Sequence, residues 1–258
     1  ASLNPWWTTG EVPSSWIGLK REKYLVPILK WIDDDFIQVV SGIRRSGKTT
    51  VIYQVLDKLM KEKKYLPHNV LLVNCDDAKE REAFKYLKDI AEAFESVGTG
   101  NKLIVLDEVQ YYDNWEQQCK NLYDTFKGRI KFIISGSSAT LRTSKNLHFL
   151  TGRMMPTKVS PFSFEEFLMA KGIAPFTVNR KFEEDYKNLA MLGFGNLVPE
   201  YMEFGGFPKI VLSSPDKKSQ IERIEEEEHF VHKQIKSVSF SVLSPQMIKK
   251  MASAKIVT

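Results

Sequence analysis

Apolar and polar positions sort the chain into two kinds of stretch that alternate from about residue 36 to residue 159. Short runs such as FIQVV, LIVLD and KFIIS are apolar at successive positions, as a strand is when helices cover both of its faces. The segments between them repeat their apolar residues every three or four positions, the helical period. The pattern predicts strands over 36–41, 69–75, 102–107, 130–135 and 154–159, and helices over 48–61, 80–96, 115–126 and 138–150. Such alternation specifies an α/β fold, a parallel sheet with helices on both faces. A further helical pattern covers 20–32. Before it, NPWW through Val12-Pro13 is rich in Pro, Trp and Gly and predicts an extended strap laid over the domain.

The alternation stops at Pro161-Phe162-Ser163. From 164 to 232 the periodicity is helical, interrupted at Gly193-Phe194-Gly195 and Gly205-Gly206-Phe207-Pro208. Ser244-Pro245 looks like the start of another helix, in a unit expected to continue past Thr258. Four segments are expected: 1–35 as strap and helix, 36–161 as the α/β core, 162–236 as a helical unit, and 237–258 as the start of a further unit.

Composition adds limits. Hydrophobic residues make up 43% of 258 and charged residues 27%, ordinary globular usage, and no apolar run approaches the roughly 18 residues of a membrane span. Cys75 and Cys119 lie outside any ligand spacing, and no basic-then-apolar leader opens the chain, so a reducing, cytoplasmic setting is expected. The balance of 37 basic and 32 acidic residues, a formal +5, is mild for a dedicated nucleic-acid binder. The basic stretch Lys58, Lys61, Lys63 and Lys64 suits a helix end, where cations are favoured.

The segment after the first strand carries the strongest chemical signal. Ser41 is followed by Gly42-Ile43-Arg44-Arg45-Ser46-Gly47-Lys48-Thr49-Thr50, which fits G-x-x-x-x-G-K-[ST] between a strand and a helix. Gly42 and Gly47 permit backbone angles that turn successive N–H groups toward phosphate oxygens, and the helix that follows aims its positive end at the same charge. Lys48 suits the β- and γ-phosphates of a bound nucleotide, ATP or its product ADP being the expected cofactor, and the Thr49 hydroxyl suits Mg2+. Arg44 and Arg45 either touch phosphate or a partner, or are simply exposed.

Asp107 and Glu108 end the strand LIVLD, at the edge of a parallel sheet where ligands collect. Asp107 is placed to hold Mg2+ and Glu108 to polarise the attacking water, a division of labour that phosphoryl transfer uses. One predicted strand, 69–75, separates the loop from the acids in sequence, a topology that points to hydrolytic ATPases. Ser137, after the strand 130–135, either touches the γ-phosphate or water or caps a helix. Asn74 either restrains Glu108 or makes a turn.

With NPWW, GLKREKYL, GIRRSGKTT, LDEVQ, SGSSA, LTGR, PFSFEEF and GGFP in this order, the chain resembles the AAA+ branch of P-loop ATPases, and within it the archaeal and bacterial ATPases allied to the STAND and origin-recognition groups. That resemblance implies the strand order 5-1-4-3-2 and a helical lid after the core. It also implies that Arg153 of LTGR reaches a γ-phosphate in trans, which requires a homo-oligomer, although a helix-ending arginine is the plainer alternative. Pro208 of GGFP would pack near adenine, or else make an interhelical turn, and GLKREKYL would lie near the base. Relatives of this kind usually continue into a winged-helix unit, which brings DNA in as a partner. Three functions remain open: an ATPase, an ATP-operated switch with little turnover, and a DNA-binding or remodelling module; a small-molecule kinase fits less well, because no acceptor motif is evident.

Overall fold

The computed structural model describes residues 3–137, 147–173 and 197–213. It divides into two compact units, residues 1–160 and 161–258. In the first, five strands, β1 Ile37–Gly42, β2 Val70–Asn74, β3 Lys102–Asp107, β4 Ile130–Ser137 and β5 Met154–Val159, form one parallel sheet in the order β2-β3-β4-β1-β5. This is the expected order 5-1-4-3-2, written from the other edge.

Alternate strand residues enter different cores, because successive side chains leave a strand on opposite faces. Ile104 and Leu106 join Leu87, Ile90, Trp115, Cys119 and Phe126. Leu103 and Val105 join Leu25, Ile28, Val51, Val55 and Leu59. The first set belongs to helices α6 Leu87–Glu95 and α7 Trp115–Phe126, the second to α3 Glu22–Lys30 and α4 Lys48–Lys61. Each side chain fully buried this way contributes on the order of 2 kcal/mol, which makes the pleat register costly to shift.

Helix α4 shows its logic in sequence. Val51, Ile52, Val55, Leu56, Leu59 and Met60 recur at helical spacing and are buried, while Lys58 and Lys61 fall in the last turn, where their charge suits the helix dipole. The expected helix over 80–96 is instead two helices, α5 Ala78–Ala83 and α6, separated at Phe84 to Tyr86, where the backbone turns extended. Asp77 caps α5 through the Lys79 N–H, and the Asp89 side chain accepts from the Tyr86 N–H to cap α6, so each piece carries its own start signal. Of the helix expected over 138–150, residues 138–146 lie outside the described residues, and 147–150 form one 3-10 turn.

The opening segment departs from the extended expectation by forming two short helices, α1 Trp6–Thr9 and α2 Ser14–Ile17. It does lie over the domain, along the outer strand β2. Asn4 uses its side-chain amide like a strand, donating to Leu72 O at 2.9 Å and accepting from Leu72 N–H at 2.7 Å. Trp6 and Trp7 both donate from Nε1 to Val70 O, at 2.9 and 2.7 Å. An open strand edge invites pairing with other chains, and NPWW closes this one.

In the second unit, helix α8 Phe164–Ala170 is capped reciprocally by Ser163 and Glu166. Two further helices are described, α9 Leu197–Phe204 and α10 Pro208–Val211. Tyr201 donates to Phe162 O at 2.8 Å, and Gly206 lies so close to the Phe162 backbone that a Cβ there would collide with its carbonyl. The close approach accounts for glycine in GGFP.

Candidate nucleotide site

The carboxyl ends of the parallel strands bring the loop and the acids together. Gly42 ends β1 beside the Val159 carbonyl of β5, where a Cβ would clash. Arg45 and Gly47 take left-handed backbone angles, φ 63 and φ 91, and alternation of this kind turns neighbouring N–H groups into one concave anion seat. Gly47 also serves as the N-cap of α4, so the first free amides of that helix point into the same seat. Inside the loop, Ser46 Oγ is buried without a hydrogen-bond partner.

Lys48 is buried to 4% exposure, with Nζ 3.3 Å from Glu108 Oε1 and 3.5 Å from Ile43 O. Both contacts are long for an ammonium group, whose charge-assisted hydrogen bonds favour 2.7–2.9 Å. Thr49 donates to Asp107 Oδ2 at 2.7 Å. Asp107 is itself buried, and burial pushes its carboxyl above the ordinary range; hydrogen bonds from Ser135 and Thr49 pull the other way, and Glu108 adds to the rise. These residues fit a magnesium ion in kind: Thr49 Oγ1 and Asp107 Oδ2 are adjacent oxygen ligands, 2.7 Å apart, and Mg2+ usually takes one or two protein oxygens and completes its shell with water and phosphate.

Sequence reasoning missed two of the residues that organise the site, one at the acids and one at the loop. Ser135, fully buried, donates to Asp107 Oδ1 and accepts from the Glu108 N–H at 3.1 Å. The pairing of Leu106 with Ile134 across β3 and β4 puts the next residues side by side, a registration invisible without the sheet order. Ser137, the residue singled out instead, pairs in register with Gly42. Arg21 is the second omission. Its guanidinium donates to Ser46 O at 3.0 Å and Ser160 O at 2.8 Å and stacks on Tyr24, while its backbone N–H donates to Gln54 Oε1 at 3.0 Å. Pinning Ser46 O has a geometric consequence, since C=O and N–H of a trans peptide point opposite ways. The Gly47 N–H is thereby turned away from Arg21, into the seat.

Gln54 of α4 holds the GLKREKYL segment by donating to Ile17 O at 2.5 Å and Leu19 O at 2.7 Å. Gly18, with φ 55, comes within 3.4 Å of Thr50 Cγ2 at its Cβ position. Asn74 makes a turn: its Oδ1 accepts from the Asp76 N–H at 3.1 Å.

Arg153 stands at the opposite end of the sheet. The Ile37 N–H donates to its carbonyl, so it is level with the start of β1, five strand steps or roughly 17 Å from Gly42. Its guanidinium pairs with Asp124 at 3.4 Å and lies over Tyr123. Pro208 takes the first position of α10, and its assignment to the base rests on the family resemblance alone.

A parallel sheet in this order, with a glycine-bounded loop opening the helix after β1 and an acid-tipped strand two places away, defines a P-loop nucleotide-binding fold. The AAA domain family matches residues 34–168, just over half of the chain, and the chain belongs to that family of P-loop ATPases. It is 30% identical over 210 residues to a protein of Haemophilus influenzae, covering 79% of this chain and 47% of that protein. It is 30% identical over 177 residues to protein MJ1544 of Methanocaldococcus jannaschii, covering 68% of this chain and 36% of the relative. The chain thus spans less than half the length of these relatives. Among solved structures it is similar to a Walker-type ATPase of Pyrococcus abyssi, with TM-score 0.46, 13% identity and coverage of 86% of this chain and 75% of the other. It is also similar to the ORC1 protein of Aeropyrum pernix solved in complex with DNA, with TM-score 0.44, 14% identity and coverage of 62% and 51%. No helix among the described residues is long and apolar enough to cross a membrane.

Proposed function

We propose that the chain binds Mg-ATP at loop 42–50 and hydrolyses it to ADP and phosphate. The observation that carries this reading is the 2.7 Å contact from Thr49 to Asp107 with buried Lys48 facing Glu108: the phosphate loop and both acids meet at one point. In this account the loop amides and Lys48 hold the phosphates, and Thr49 and Asp107 hold magnesium. The metal supplies charge neutralisation at the phosphate oxygens when bound. Glu108 orients the attacking water and takes up its proton, while Ser135 keeps both acids in register. Arg153 is assigned to a second copy's site on the family resemblance, and its place at the far end of the strands from its own loop is in keeping with action in trans. Pro208 near the base and a DNA-related task for the ATP cycle are carried by resemblance, and a cytoplasmic setting by the cysteine usage of the sequence.

The test is Glu108→Gln. Nucleotide affinity should stay within about twofold while turnover falls on the order of a hundredfold or more; unchanged turnover would remove Glu108 from its role. One observation favours the switch reading as well. Lys48 Nζ lies 3.3 Å from Glu108 Oε1, an ion pair that would keep the water-activating group in check. Steady-state turnover compared with the fraction of protein that carries nucleotide separates slow switch from working ATPase.

A further inference from the structure

Gln110 has no role in the account so far, yet its Nε2 donates to Glu108 Oε2 at 2.6 Å. The other carboxylate oxygen is the one that faces Lys48, at 3.3 Å. Local backbone builds this contact. Glu108 leaves β3 with φ 56 and caps the 3-10 turn Val109–Tyr111, with the Tyr111 N–H returning to Glu108 O at 3.3 Å. So tight a turn folds the Gln110 amide back on the carboxylate two residues before it. The arrangement leaves Gln110 Oε1 buried with no hydrogen-bond partner, which destabilises the fold. Turning the amide over would set Oε1 against a carboxylate oxygen, so the contact with Glu108 determines its orientation. A half-buried side chain kept with its one buried oxygen unsatisfied calls for an explanation other than stability.

We propose that Gln110 is the positioning residue for Glu108, the group that aims its carboxylate once nucleotide is bound. The inference rests on the role given to Glu108 above. Glu108 has two restraints, and nucleotide treats them differently. Lys48 turns to the phosphates, because its partners here, Glu108 and Ile43 O, are distant and a phosphate offers a stronger bond. Gln110 undergoes no such exchange. It stays on Oε2 and fixes the direction in which Oε1 points after Lys48 leaves, so Glu108 passes from checked to aimed without a search among rotamers.

The experiment compares the full chain with Gln110→Ala and Gln110→Glu, the second filling the same volume without the donor. The readouts are kcat and KM for ATP, with ADP affinity by calorimetry and Glu108→Gln as reference. Both Gln110 variants should lose kcat by roughly tenfold to a hundredfold, with KM and ADP affinity within about twofold. A packing role predicts that Gln110→Glu restores kcat over Gln110→Ala; that outcome, or wild-type kcat in Gln110→Ala, overturns the proposal. Wild-type turnover in Glu108→Gln would instead overturn the role of Glu108 itself, and the positioning role with it.

Discussion

The underside and the mouth of the phosphate loop each carry a buried cation, and the two are held in different ways. Arg21, beneath, has backbone and guanidinium contacts of 2.8 to 3.0 Å to Ser46, Ser160 and Gln54 and stacks on Tyr24. Lys48, at the mouth, has contacts of 3.3 and 3.5 Å, while Ser46 Oγ in the loop and Oε1 of Gln110, the partner of Glu108, are buried without a hydrogen-bond partner. A saturated set of hydrogen bonds rigidifies, whereas a partly satisfied one is ready to exchange partners. The underside therefore holds the shape of the loop, and the mouth keeps its binding capacity for a ligand.

The contrast is sharpest in paired substitutions. Lys48→Met should weaken ATP and ADP binding by at least about a hundredfold while leaving the melting temperature of the nucleotide-free protein within about 2 °C; calorimetry and thermal unfolding check both. Arg21→Met should do the reverse, destabilising the protein by about 2–4 kcal/mol because two buried carbonyls lose their donor. Its nucleotide affinity should fall less, roughly fivefold to tenfold, as the Gly47 amide loses its fixed direction. Equal profiles for the two variants in denaturant and binding titrations would erase the distinction.

Asp107→Asn has a smaller effect with an informative sign. The carboxyl of Asp107 titrates above its ordinary range chiefly because it is buried, so in the pH interval between its unfolded and folded values the folded chain binds more protons than the unfolded one. Stability then falls as pH rises through the folded value, and at neutral pH a neutral amide removes that penalty. The nucleotide-free variant should melt about 1–3 °C higher, yet its stabilisation by ATP should no longer increase when magnesium is added. Without any effect on nucleotide affinity, Asn4→Ala should cost about 1 kcal/mol, since the hydrogen bonds of the Asn4 side chain are to Leu72 on the β2 edge.

How much of this was legible in the sequence depends on the range of the contact involved. The five strands and the phosphate loop are written in local apolar runs and one short motif, and Lys48, Thr49, Asp107 and Glu108 all fall at the loop or strand end where their residue types suggest them. Strand order came from family resemblance, as parallel pairing leaves no local trace. Ser135, Arg21 and Gln54 escaped because each acts through contacts 25 to 139 residues away, and a single serine, arginine or glutamine announces no partner. Gln110 is only two residues from Glu108, but the left-handed turn that joins them uses no glycine to signal it. The break in the helix expected over 80–96 was also hidden, since Phe84-Lys85-Tyr86 contains neither Gly nor Pro, and only the caps at Asp77 and Asp89 mark it.

The most direct measurement is a crystal structure with magnesium and a non-hydrolysable ATP analogue. The account predicts phosphate oxygens within about 3.2 Å of the Gly47, Lys48 and Thr49 amides, Lys48 Nζ transferred from Glu108 to the phosphates, and Glu108 still held by Gln110. Nucleotide bound elsewhere, with the Lys48–Glu108 pair intact, would contradict it.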